Sequence, residues 1–491
     1  MLSSAEVALE ASPPHPLTRA VTQTEAWWVF PTVPLLASAV AFTWMLHAEL
    51  ERAYGMTALA WDLAYYQQLV WEITQGHGFY TSFQRANFLG VHLEPILLVI
   101  AAVEKLWPSP VVLMIFGAAG LAATGPAAYL FFRAILPDDQ TASRWLALAL
   151  ATPIPFWAAI QEAATDFFHP ENMALPMALL AAWAGIRGRR AAMWSLCVLT
   201  LCCKEDQVYT IGVLALLMRS FGAPAIARHW RFILYLAGAW FLLGTGLVQQ
   251  YFRDYGYTDF VNYRWLIGLD PNVPVSGLAV LESLFSPGAL VVVAGIVASL
   301  AALPLLAPRW SLLVIPPYLA NVLSEHVPQN TLNLHYALLL IFPMIVAAGV
   351  GGRRLIERRT LSPATSLAAM LPALIVGFVM GTLPPSANAY DYLYTRPNAV
   401  AQLMQAAAVI PAGAPVNADS ALCVWLANRD QVNDFPDKLD ASSYVVIDKK
   451  SYLGGPTDFD AHREVRAALP SSGRSMLYDD GRFQVWSPVS D

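Results

Sequence analysis

Apolar runs of bilayer-spanning length recur along the chain, separated by short polar connections. A helix needs about 20 apolar residues to cross the roughly 30 Å hydrocarbon layer. Residues 28–48 form the first run, longer than the roughly 7 to 15 residues of a signal-peptide core, and are expected to be an uncleaved span. Further spans are expected at 111–132, 144–161, 171–187, 231–251, 287–306, 310–324, 334–351 and 364–383. Two stretches decide the topology. Residues 93–107 would reach only about 22 Å as a helix and end in Pro-Ser-Pro, so they read as a helix lying at the interface. Residues 191–219 are apolar except for Lys204, Glu205 and Asp206 at their middle, and form either one long helix or a hairpin.

Arginines select the hairpin. Arg187, Arg189 and Arg190 precede this stretch and Arg219, Arg228 and Arg231 follow it, and the positive-inside rule places both ends in the cytoplasm. The expectation is then an α-helical integral membrane protein of about eleven transmembrane helices. Residues 1–27 are a cytoplasmic segment, 28–384 the transmembrane domain with a large first outer loop at 49–110, and 385–491 an extracytoplasmic α/β domain. In that last region the pattern shifts to strand-like stretches such as "SSYVVIDKK" and "SMLYDDGRFQVWS", with turn chemistry at Pro-Ala-Gly and Asp-Asp-Gly and helical stretches near 397–409 and 459–469. It carries nine Lys+Arg against thirteen Asp+Glu, a surface unsuited to anionic headgroups. The sequence shows no internal repeat, which weighs against transporter folds built from duplicated halves.

Composition agrees: 57% of the residues are hydrophobic and 13% charged, against about 25% charged in soluble domains. The net charge of -6 has no single-sign run behind it, so no nucleic-acid partner is expected. Cys197, Cys202, Cys203 and Cys423 have neither disulfide-framework nor zinc-ribbon spacing.

With this topology His47, His77, His92, His169, His326 and His335 all fall on the outer side, in loops that also gather most of the unusual carboxylates. Ionisable groups near the membrane are candidates for function because isolated burial is costly. In "TDFFHPEN", Pro170 and Glu171 are explained by a helix N-terminus, but Asp166 and His169 are not. The arms of the "KED" hairpin span only about 20 Å, so its tip is expected below the outer surface. Lys204 with Glu205 or Asp206 is then either part of a site or a structural pin. "NFLGVHLEP" offers Asn87, His92 and Glu94, and "SEHVPQNTLNLHY" offers Glu325, His326, His335 and Tyr336, a set suited to hydroxyl-rich ligands or to loop capping. Asp62, between Trp61 and Leu63 and without a nearby cation in sequence, is a candidate desolvated carboxylate of the kind a general base needs.

Taken in order, "WDLAYYQQLVWEITQGHGFY", "NFLGVHLEPILL", "DFFHPENMALP" and "CCKEDQ" resemble a bacterial family of multispanning proteins, domain of unknown function 2079, over roughly the first 350 residues. That family looks like a branch of the GT-C glycosyltransferase superfamily. The resemblance implies a GT-C-like protein of the bacterial inner membrane that takes a sugar from a polyprenyl-phosphate carrier. Its acceptor would be a glycan, lipid or protein hydroxyl on the extracytoplasmic face. By position Asp62 is the implied catalytic base, and the C-terminal domain an accessory module near the site mouth. Lys204, then Arg85, Arg264 and His335, are the candidates for the donor phosphate. Asp166, His169 and Glu171 would hold the sugar, the acceptor or a divalent metal, with Asn87, His92, Glu94, Glu205, Asp206, Glu325, His326 and Tyr336 as further binding candidates. Asp62 lacks the adjacent second carboxylate of many GT-C members, being followed by Leu63 and Ala64. The rival readings are a lipid or solute transporter using the same cavity, with "KED" as a coupling site, and a scaffold that recruits envelope partners.

Overall fold

The computed structural model describes residues 29–138, 140–253, 261–268, 276–450 and 459–489. Helices dominate as far as Met380, and seven among the described residues are long and apolar enough to cross a membrane. They begin with α1 (Val29–Tyr54) and end with Pro363–Met380. The expected interfacial element is a short helix, Leu97–Glu104. It leaves Leu98, Val99 and Val103 exposed while Glu104 turns inward against Gln67.

The bundle centre is built on close helix crossings. Helix α2 (Tyr65–Gln75) lies in the first loop, and α3 (Val111–Ile135) is the next long helix. It meets α4 (Glu171–Ile186) at Gly120, where a Cβ would lie 2.6 Å from the Asn172 carbonyl oxygen. Small residues at such crossings let backbones approach where water supplies no driving force between helices. The stretch at 191–219 is a hairpin: α5 (Arg190–Leu201) and α6 (Val208–Phe221) are joined through an extended Lys204 and a 3-10 turn at Glu205–Gln207. Met193 near the start of α5 and Met218 near the end of α6 both pack on Gly185 at the end of α4, so the arms return to the same side. Arg187 donates to the Arg133 carbonyl and Arg353 to the Ile135 carbonyl at that same end, which therefore gathers arginines.

The C-terminal region carries a five-stranded sheet of β3 (Val416–Ala418), β4 (Val432–Asp434), β5 (Tyr444–Asp448), β6 (Met476–Asp479) and β7 (Phe483–Trp486), in the order β4-β3-β5-β7-β6. The short ribbon β1 (Tyr80–Thr81) and β2 (Ala86–Asn87) lies in the first loop. β3 pairs in parallel with β4 and β5, and β6 and β7 form the antiparallel hairpin at Asp-Asp-Gly.

This domain and the first loop share one hydrophobic core, in which Leu63, Leu69 and Phe88 join Leu422, Val424 and Phe483. Polar ties reinforce it: Ser82 Oγ donates to the Val432 carbonyl at 2.6 Å, Trp425 Nε1 to the Ala53 carbonyl at 3.0 Å, and Gln67 Nε2 to Asn428 Oδ1 at 2.7 Å. The domain therefore clamps the first loop over one end of the bundle, opposite the arginine-rich end.

Candidate functional site

Under this clamp, side chains from α1, the first loop, the Asp166–Glu171 turn, the hairpin tip and the His335 loop converge. Asp62 sits in a single π-type helical turn, Ala60–Ala64, that leads into α2. Such turns are frequent at functional sites because they displace a side chain from regular helix geometry. Helix Ser420–Leu426 of the C-terminal domain packs on it, and Ser420 Oγ accepts from the Ala60 N–H at 2.9 Å. Asp62 is enclosed by protein yet keeps part of its surface accessible. Burial, then the Asp166 charge, push its pKa well above the usual carboxylate range, and Arg52 pulls the other way. Arg52 is fixed by the Thr165 and Thr57 carbonyls and lies 4.6 Å from the Phe167 ring centroid.

The centre of the cluster is a chain of buried charged and ring groups. His335 Nδ1 meets Asp166 Oδ2 at 2.5 Å, and His335 Nε2 faces Glu171 Oε1 at 3.7 Å. Lys204 Nζ binds the same Glu171 oxygen. His169 stacks on His335 with ring centroids 3.9 Å apart, and its Nδ1 lies 3.6 Å from Asp166 Oδ2. Tyr66, from α2, packs its ring edge-on against His169 and donates its hydroxyl to Glu94 Oε1 at 3.4 Å. Glu94 is fully buried, and burial followed by the Glu171 charge raises its pKa well above normal. Glu94 Oε2, Glu171 Oε2 and His169 Nδ1 have no hydrogen-bond partner among the described residues. Orphaned buried polar atoms are costly, and three in one cluster point to a place prepared for a ligand.

The hairpin tip differs from a self-contained pin. Lys204 pairs with Glu171, thirty-three positions away, whereas Glu205 binds His92 Nδ1 at 2.9 Å and the Leu93 N–H at 2.9 Å. Asp206 accepts from the neighbouring Gln207 side chain. His92 thus belongs to the hairpin contact, while Glu94 turns to Tyr66.

Other candidates lie away from the centre. Arg85 is exposed, with its guanidinium on the Lys438 carbonyl, and Asn87 caps the Leu89 N–H. Arg264 is exposed in the segment whose neighbour Trp265 donates its N–H to Glu325. Glu325 and His326 are exposed, and His326 packs edge-on to Tyr336, which in turn lies against the His335 ring. Glu325 lines an open cavity of about 420 Å³ with Trp265, Ser283 and Asn330.

An apolar cleft of about 390 Å³ runs beside the cluster, between helices Ala158–Thr165, Pro287–Ser299 and Leu371–Met380. Val291, Val292, Ile296, Val376 and Met380 line it, and Glu162 and Asn333 sit at its polar end. Glu162 accepts from the Leu334 N–H and faces Asp166 and Arg52 electrostatically, so the polar end abuts the cluster.

Sequence reasoning missed Tyr66, Arg52 and Glu162. Tyr66 looks like one of several interfacial aromatics, Arg52 like an ordinary loop cation, and Glu162 like the end of a span. A signal existed only for Glu162, a carboxylate one helical turn before Asp166.

A family model described as "predicted membrane protein", domain of unknown function 2079, matches residues 52–456. Among solved structures, ArnT from Cupriavidus metallidurans bound to undecaprenyl phosphate is similar in chain course: 12% identity, 95% of this chain and 99% of that chain covered, TM-score 0.46. No curated protein matches.

Proposed function

We propose that this chain, which belongs to the domain of unknown function 2079 family of membrane proteins, transfers a sugar from a polyprenyl-phosphate donor to an acceptor hydroxyl on the extracytoplasmic face. The observation that carries the reading is the adjacency of two environments: an apolar cleft suited to an isoprenoid tail, and a buried polar cluster at its end suited to a charged, hydroxyl-rich head. The cleft spans Gly288 to Ser299 on one helix, about 16 Å at 1.5 Å per residue.

Asp62 is the general base. Its raised pKa brings a carboxylate nearer the range where it takes a proton effectively in the transition state. As the acceptor oxygen attacks the anomeric carbon and its proton passes to Asp62, negative charge develops on the departing phosphate. Lys204 and Arg52 are the buried cations placed to meet it. Asp166, His169 and Glu171 position the sugar, and the C-terminal domain holds the turn that carries Asp62.

The test is transfer by the full chain reconstituted with lipid-linked saccharides extracted from a deletion strain. Asp62→Asn, which keeps shape and removes the base, is expected to lower the rate by about 10²- to 10⁴-fold. Near-full transfer by that variant removes Asp62 from the role. Flux of an unmodified lipid or solute across liposomes, with no saccharide transferred, would select the transporter reading instead.

A further inference from the structure

Two of the residues given to the sugar above, Asp166 and His169, form with His335 an arrangement that holding a sugar does not by itself require. One donor atom each of Asp166, His169 and His335 lies within 4.8 Å of the others, and all three residues are buried. His169 is 6% exposed, yet its Nδ1 has no hydrogen-bond partner and is aimed at Asp166 Oδ2 from 3.6 Å. A buried ring nitrogen left so costs free energy unless something else accepts its lone pair. The two imidazoles stack with ring centroids 3.9 Å apart, which brings one nitrogen of each toward the same Asp166 oxygen.

We propose that Asp166, His169 and His335 bind one divalent transition-metal ion of the zinc type. Two imidazoles and a carboxylate are a zinc ligand set, and three protein ligands with an open fourth position mark a site that takes a ligand oxygen. Asp166 Oδ2 and His335 Nδ1 lie 2.5 Å apart, closer than two ligands of one ion stand. The ion spreads the pair toward roughly 3.3 Å, the separation set by metal–ligand bonds of about 2.0–2.1 Å in a tetrahedron. Repulsion from the Lys204 ammonium is offset by Glu171, which lies between it and His335. The second trio of this kind, Glu72, His77 and Asp430, has two exposed members and serves as the control.

The test is zinc content of the full chain purified in detergent, loaded with zinc, desalted and read by mass spectrometry. Wild type and His77→Ala are expected to keep about one zinc per chain, and monodisperse His169→Ala and His335→Ala to lose it by tenfold or more. Cobalt(II) titration of wild type needs no variant to fold, and is expected to give a saturable visible band that zinc abolishes. Zinc retained by both cluster variants, zinc lost from His77→Ala instead, or no saturable cobalt band each overturns the proposal. No sugar donor is present in either measurement, so the metal site stands or falls separately from the transfer reading.

Discussion

Replacing Lys204 by Met isolates the question of what the hairpin tip is for. The change keeps an unbranched apolar stem and deletes only the ammonium, leaving Glu171 charged and without its closest partner. Lys204 is 8% exposed and Glu171 5%, so the pair is desolvated on both sides. Removing one member of such a pair costs about 3–5 kcal/mol, because the survivor's burial is no longer compensated. His335 Nε2, 3.7 Å from the same Glu171 oxygen, offers a substitute contact and moves the expectation to the lower end, about 3 kcal/mol. That is a large part of the roughly 5–15 kcal/mol that holds a domain folded. Lys204→Met with Glu171→Gln removes the stranded charge and should cost only the lost hydrogen bond, about 1 kcal/mol.

The assay is equilibrium unfolding of the full chain in mixed micelles for wild type, both single variants and the double variant, combined as a cycle. A coupling of roughly 2 kcal/mol or more is expected. If Lys204→Met costs less than about 1 kcal/mol, the pair is as hydrated as a surface bridge and the buried cluster is misjudged. The stable double variant then separates the two roles of the tip. Transfer retained marks the Lys204–Glu171 pair as a pin, and transfer lost marks the pair as part of the site.

Three further outcomes follow from the same geometry. Ser420→Ala strands the Ala60 N–H, and is expected to cost about 1 kcal/mol and to lower kcat more than it raises KM, because it loosens the turn bearing Asp62; steady-state kinetics unchanged from wild type would detach the C-terminal domain from the site. Val292→Trp narrows the apolar cleft and should reduce use of a long-chain donor about tenfold, the worth of some two methylene contacts, while sparing a short-chain donor; equal loss with both would place the tail elsewhere. Burial pushes Glu104 up to about 7, with the Gln67 hydrogen bond pulling back. Its folded pKa thus lies above the unfolded value of 4.5, so the native state binds the proton more tightly and stability falls as pH rises from about 4.5 to about 7. Glu104→Gln should flatten that part of the melting-temperature profile, and an unchanged slope assigns it to other groups.

The sequence exposes those features whose physics is local or long in range along one axis. Apolar length finds most of the seven long apolar helices among the described residues, and arginines at both ends of 191–219 point to a hairpin because each cation must stay at a watery boundary. Partner choice inside the cluster is different in kind. Lys204 has Glu205 and Asp206 beside it in the chain, and local reasoning pairs it with one of them. The extended backbone at Lys204 instead carries its side chain to Glu171 on another helix, freeing Glu205 for His92 and the Leu93 N–H. No spacing rule reports an exchange that depends on how α4 and the hairpin dock. β4 escapes for a similar reason: three buried residues at a sheet edge, Val432, Asn433 and Asp434, show neither alternation nor a β-branched run. The Asp62 turn joins both problems. Its carboxylate stands out in sequence as an acid without a cation, but what holds it is Ser420, 360 positions further on in the neighbouring residue's contact. Since the first loop and the C-terminal domain bury Leu63, Leu422 and Phe483 in a single core, neither can be folded correctly without the other. Removal of the C-terminal domain is therefore expected to expose this shared core rather than leave the first loop intact.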